Sequence, residues 1–160
     1  MIKRYFKGER KKLEDGTDEV GPTYRDFVIS SSGNAAIAAI HAVQAHNRNN
    51  PEKIGLRVFI GQKIDPKKLK MLTAIIEDPK VTIETVERQN QPAFGLEKEN
   101  SEIKNLRQST DESALLGYYE LADELNRIPN LQAIFIPTSS GTTAQALGEA
   151  FETIEPSAWG

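Results

Sequence analysis

The sequence predicts an α/β fold: a mainly parallel sheet with helices on both faces. Three observations predict it. Apolar runs rich in β-branched residues alternate with longer segments of helical period. The runs "FVI" and "IFI" are continuous, as strands covered on both faces read. Two of the runs break into small polar loops that lead into alanine-containing helices, the plan of a βα unit.

Taken in order, "DFVIS" (26–30) is the first predicted strand and residues 34–46 the first helix. That helix is nearly all small or apolar, from Ala35 to Val43, which predicts burial on all sides. "LRVFI" (56–60) is the second strand. In "DPKKLKMLTAIIE" (65–77), Asp65 is the expected N-cap, Pro66 the first helical residue, and Leu69, Leu72 and Ile76 share a face. "KVTIETV" (80–86) alternates with period two and makes the third strand. Residues 87–110 are polar, carry little periodicity and are too many for an ordinary loop, so they mark a boundary. Beyond them come a helix over 111–128, with Leu115, Tyr118, Leu121 and Leu125 at helical spacing, a fourth strand "LQAIFIP" (131–137) and a helix over 142–154. The expected organisation is an α/β subdomain over 1–90, a linker over 91–110 and a partial second subdomain over 111–160.

A chain of 160 residues can bury a core without crosslinks. A hydrophobic share of 38% with 27% charged residues reads as globular, and a net charge of −3 gives no reason to expect a nucleic-acid partner. Lysines and arginines cluster in the first twelve positions, a pattern that commonly forms a solvated face. The absence of cysteine removes disulfides, thiolate nucleophiles and cysteine metal sites. No run approaches the roughly 18 apolar residues of a membrane span, and the charged start lacks a signal peptide's apolar core. The expected compartment is the cytoplasm. His41 and His46 are five positions apart, off a common helix face, so no metal site is expected.

The chemistry concentrates in two loops. Ser31, Ser32 and Gly33 bring backbone N–H groups and hydroxyls to the positive end of a helix, and Asn34 adds a donor and an acceptor. Alternatively, Ser32 or Asn34 merely caps the helix. "IFIPTSSGTTAQAL" (134–147) repeats the plan, with Ser139, Ser140, Gly141, Thr142 and Thr143 at a helix start. Close backbone approach at a glycine, hydroxyls around it and the dipole behind suit a phosphate. No lysine stands where a Walker loop needs one, and the three glycines of a dinucleotide turn are absent.

With both loops in view, the sequence resembles the fold-type II pyridoxal-phosphate enzymes, the family of tryptophan synthase β chain, threonine synthase, cysteine synthase and threonine dehydratase. "SSSGNAAIAAI" resembles the family's S-[ST]-G-N segment, and "IPTSSGTTAQALGEAF" its phosphate cup, with 107 positions from Asn34 to Gly141. The intervening "IDPKKLKMLTAI" and "ALLGYYELADEL" resemble family segments in the same order. The resemblance implies a small domain followed by the start of a large one, with pyridoxal phosphate as cofactor and an amino acid as substrate. It implies that Asn34 bonds the cofactor ring, that Ser31, Ser32 and Gly33 take the substrate carboxylate, and that residues Ser139 to Thr143 hold the phosphate. Lys7 follows Phe6, 27 positions before Asn34, and is the Schiff-base lysine the resemblance implies. Such a lysine is desolvated, and cationic neighbours depress its pKa so that the free amine attacks.

The expected function is a β- or γ-replacement or elimination in amino-acid metabolism, nearer threonine synthase and threonine dehydratase than cysteine synthase. The expected assembly is a homo-oligomer or a complex with a complementing chain. A second reading is a truncated or degenerate, non-catalytic relative, or one part of a split enzyme. The polar residues after Lys7 and the lack of counterparts to the family's later strands favour it. A third is an unrelated phosphate-binding α/β domain.

Overall fold

The computed structural model describes residues 10–12, 18–20, 24–107, 112–138 and 140–153. They fall into two compact units that divide between Leu106 and Arg107.

In the first unit, β1 (Arg10–Lys12) pairs antiparallel with β2 (Asp18–Val20). A separate four-stranded sheet follows: β3 (Asp26–Ser30), β4 (Gly55–Gly61), β5 (Val81–Val86) and β6 (Ile103–Asn105), all parallel, in the order β5-β4-β3-β6. Its helices are α1 (Asn34–Asn49), α2 (Pro66–Ala74) and α3 (Asn90–Glu99). The chain steps from β3 to β4 to β5 in one direction, then returns to place β6 on the far side of β3. Right-handed crossovers require the helices of the outward and return steps to take opposite faces.

Register assigns the core. Phe27 lies opposite Leu56 and Ile29 opposite Val58, so these side chains share the face on which α1 packs. Val28, Phe59 and Ile103 point the other way and close on Ala93 of α3, with Val86 and Leu96 around them. Phe27, Val28, Ile40, Val43, Val58, Ile60 and Leu72 are fully buried. Each such side chain contributes about 1.5–3 kcal/mol relative to exposure.

The helix α1 departs from the expectation of burial all round. It buries one stripe, Ala36, Ala39, Ile40, Val43, Gln44 and Asn47, and exposes Ala38, His41 and Ala42. Alanine is a strong helix former that tolerates either environment, so its abundance reported helix and not depth. The helix stops where the Asn49 and Asn50 side chains donate to the Ala45 and His46 carbonyls, at 2.8 and 2.9 Å, ahead of Pro51. In α2 the expected cap forms: Asp65 Oδ1 accepts from the Lys67 N–H at 2.7 Å.

Within the expected linker over 91–110, the structure has most of α3 and all of β6 of this sheet. Their apolar signal is only Ala93, Phe94 and Leu96 in the helix and Ile103 in a three-residue strand, too sparse for a period.

The loop before β5 is pinned through Asp78, whose Oδ2 accepts from Asn47 at 2.7 Å and whose Oδ1 accepts from the Lys80 N–H at 2.8 Å. Burial pushes this carboxyl up, but the two hydrogen bonds and the charges of Lys53 and Lys80 outweigh it and hold it below its ordinary 3.8. A folded value below the unfolded one makes ionised Asp78 stabilising at neutral pH, an effect lost as pH falls through the folded value. Asp78→Asn is therefore expected to lower stability at neutral pH and to flatten its acid dependence. Urea unfolding of both proteins across that pH range checks it, and parallel curves would refute it.

In the second unit a 3-10 helix (Glu112–Tyr118) runs into α4 (Tyr119–Asn126), and α5 (Thr142–Thr153) packs against both. Ala122, Leu147 and Ala150 form the centre, with Tyr119, Leu125, Ile136 and Phe151 around them. The predicted helix over 111–128 is thus partly 3-10, and Ala122 rather than Leu121 points inward. The predicted fourth strand over 131–137 joins no ladder among the described residues. Ile136 packs inward, whereas Phe135 is 94% exposed. Its β-forming composition is local, while a ladder needs neighbours, and the described residues supply none.

Candidate functional site

All four strands of the parallel sheet end at one edge, and the order of connection reverses beside β3. Loops that leave adjacent strands toward opposite faces open a crevice there, the usual ligand position in open α/β sheets. Residues 31–33 and the start of α1 stand at this point. Gly33 precedes the helix in extended conformation, φ −117° and ψ −154°, and no side chain caps the first turn. The capping role open to Ser32 and Asn34 is therefore not taken up; the Gly33 N–H instead donates to Ser31 Oγ at 3.3 Å. Ser31 and Ser32 are half-buried, and Gly33 and Asn34 exposed. A Cβ built on Gly33 would meet nothing within 4 Å, so the space above the loop is open. The first turn of a 16-residue helix, with its positive end, borders that space.

The loop is held from behind by residues that sequence reasoning missed. The Ser30 hydroxyl donates to the Gln89 carbonyl at 2.6 Å, and Gln89 Oε1 accepts from the Gly61 N–H at 3.1 Å. No motif announces either bond, because the partners are 59 and 28 positions apart.

In the second unit Gly141 adopts φ 81°, the left-handed region that favours glycine, and a Cβ there would also meet nothing within 4 Å. Its N–H donates to Thr138 Oγ1 at 3.0 Å, and the Thr142 N–H to Ser140 Oγ at 3.5 Å. Ser140 Oγ and Thr142 Oγ1 lie 2.9 Å apart. Thr142 is buried and Thr143 half-buried, and the Gly141 carbonyl accepts from the Gln145 N–H at 2.9 Å inside α5. The loop's own hydroxyls thus take the donors a phosphate would use; Thr138, outside the predicted set, is one of them. Lys7 and Ser139 lie outside the described residues.

Both loops fit a phosphate-bearing ligand in the same respects: a glycine with free space where a side chain would stand, small donors, and a helix start behind. Elsewhere, a cleft of about 490 Å³ opens at the opposite, amino edge of the sheet, lined by Gln44, Asn47, Arg48 and Lys53 among others. Its buried amides are engaged with backbone, and among the described residues no buried side-chain nitrogen or oxygen lacks a partner. No cluster of three or more His, Asp or Glu that could hold a metal occurs among the described residues. No helix there is long and apolar enough to cross a membrane.

No family profile and no curated protein matches the sequence. Solved structures do. The processed form of threonine deaminase isoform 2 from Solanum lycopersicum superposes with a TM-score of 0.65 at 19% identity, over 82% of this chain and 35% of that one. Maize serine racemase gives 0.62 at 19%, over 84% and 39%. A pyridoxal 5'-phosphate-dependent aspartate racemase gives 0.62 at 18%, over 83% and 39%. The architecture is therefore that of part of the fold-type II pyridoxal-phosphate enzymes, as the resemblance implied. The chain spans about two fifths of the length of these structures.

Proposed function

We propose that the chain is a pyridoxal-phosphate-binding part of an enzyme of amino-acid metabolism, with threonine synthase- or threonine dehydratase-like replacement or elimination chemistry. The observation that carries this reading is the Ser31–Asn34 loop: an uncapped helix start, small donors and open space over a glycine at the point where the sheet's connection order reverses. The matched structures support it by name, one as pyridoxal-phosphate-dependent and others as acting on threonine or serine.

In this reading Asn34 would hold the cofactor ring, while Ser31, Ser32 and Gly33 would donate to the substrate carboxylate. Residues Ser139, Ser140, Gly141, Thr142 and Thr143 hold the phosphate. A phosphate there would compete with Thr138 Oγ1 and Ser140 Oγ for the loop's N–H donors, hydrogen bonds to an anion being about twice as strong as neutral ones. Lys7 would be the residue that holds the cofactor's aldehyde, with loss of water, as the resemblance implies. The cofactor, when bound, serves as electron sink for the substrate's α-carbon.

Mixing the protein with pyridoxal phosphate is expected to give the absorption band of a lysine-bound cofactor. Borohydride reduction and peptide mapping are expected to place one stoichiometric label on Lys7, and Lys7→Ala to abolish it. Labels scattered over surface lysines would sink the assignment.

One observation favours a second reading, in which the chain is one part of a split enzyme in the cytoplasm. The uncharged segment 131–138 carries Phe135 at 94% exposure and has no strand beside it among the described residues. A complementing chain that supplied neighbouring strands would cover it.

A further inference from the structure

The β5–α3 turn makes a connection that the sheet alone does not need. Gln89 follows β5, yet its backbone carbonyl takes the hydroxyl of Ser30 at the end of β3. The strand β4 lies between those two strands, so the turn crosses over its end. There Gln89 Oε1 accepts from the Gly61 N–H, a donor just short of the last rung of the β4–β5 pairing, where the Gln62 N–H meets the Val86 carbonyl at 3.1 Å. Gly61 leaves room for this: a Cβ there would stand 3.3 Å from Gln89 Oε1. One residue thus ties the carboxyl ends of β3 and β4, and Ser30 leads directly into Ser31.

We infer that Gln89 is a positioning residue for the Ser31–Asn34 loop. By its carbonyl it holds the end of β3 and by its side-chain oxygen the end of the adjacent β4, and so it sets where the loop and Asn34 would meet the ligand. The ligand half of this inference rests on the proposed function; the loop half does not. A preformed set of donors binds more tightly than one that must be ordered on binding, because the ordering cost is met during folding.

The test uses the full chain with Gln89→Leu, which removes the side-chain acceptor, and Gln89→Glu, which keeps one. Amide exchange on the ligand-free protein reads Gly61 and residues 31–36. Titration with pyridoxal phosphate reads affinity. Leucine is expected to speed exchange at both places by about fivefold and to weaken binding by a similar factor, the worth of one lost hydrogen bond. Glutamate is expected to restore both. Unchanged exchange in the leucine variant overturns the inference. Faster exchange with unchanged affinity reduces Gln89 to a structural residue and overturns the ligand half. If the wild-type chain takes up no pyridoxal phosphate, the proposed function fails, and the exchange data still decide whether Gln89 holds the loop.

Discussion

On the proposed function, Gly33→Val is expected to fold as the wild type does and to lose most of its affinity for pyridoxal phosphate. The backbone at Gly33 is extended, a conformation that a β-branched residue adopts readily, and a Cβ meets no protein atom within 4 Å. The expected stability change is therefore about 1 kcal/mol or less, the size of a weakened N-cap preference. The proposed ligand would occupy that free space. Branched carbon beside the first turn would crowd the cofactor ring that Asn34 would hold, and such overpacking costs about 1–3 kcal/mol, or roughly five- to 150-fold in affinity. Thermal melts and pyridoxal-phosphate titrations of both proteins check the two halves. An unchanged affinity would mean that the ligand does not sit over this loop.

The separation of those two effects follows from how the site is built. Small residues and a helix start have local signatures, so "SSSGN" marks Ser31, Ser32, Gly33 and Asn34 as a helix start, and a ligand role gains weight only with the second loop beside it. The same holds for Asp65 and Pro66, whose cap forms as expected. The strands β3 and β4 are legible as apolar runs bounded by polar or turn residues, and β5 as a period-two alternation. What supports the loop was not legible. Ser30 and Gln89 read as ordinary polar residues until the sheet order brings their ends of the chain together. Position in a folded sheet is a long-range property, and no local pattern encodes it.

The same distinction explains the two errors of element assignment. The helix α3 and strand β6 were overlooked because they bury little: Ala93 alone in the helix, and Ile103 and Asn105 in the strand. Tertiary packing against Val28 and Phe59, not propensity, makes them what they are. Residues 131–137 were read as a strand on composition, which describes what the segment would do beside a neighbour. A weak sequence inside a sheet is ordered, and a strong one without partners joins none.

The largest structural effect is expected at Asn47, which with Gln44 makes the polar part of the buried stripe of α1. Asn47 is 3% exposed; its Oδ1 accepts from the Ile54 N–H and its Nδ2 donates to the Ile54 carbonyl, both at 2.9 Å. One turn earlier, Gln44 does the same for the next connection: its Oε1 accepts from the Glu77 N–H at 2.6 Å and its Nε2 donates to the Ile75 carbonyl at 3.0 Å. These amides substitute for secondary structure where β4 and β5 begin, since a buried backbone group must find a partner somewhere. Leucine in place of Asn47 matches its bulk closely enough to stay in the stripe but strands both polar groups of Ile54. Each unpaired group costs about 1–3 kcal/mol, so Asn47→Leu is expected to lose roughly 2–6 kcal/mol, a large share of the 5–15 kcal/mol typical of a domain. Aspartate does no better, because it keeps one acceptor, loses both donor bonds and sets a second carboxylate beside Asp78, whose oxygen is 2.7 Å from the present amide. Urea unfolding of the leucine variant measures the loss directly. A loss below about 0.5 kcal/mol, the scale of ordinary surface changes, would show that water replaces the amide and that the stripe needs no polar residue there.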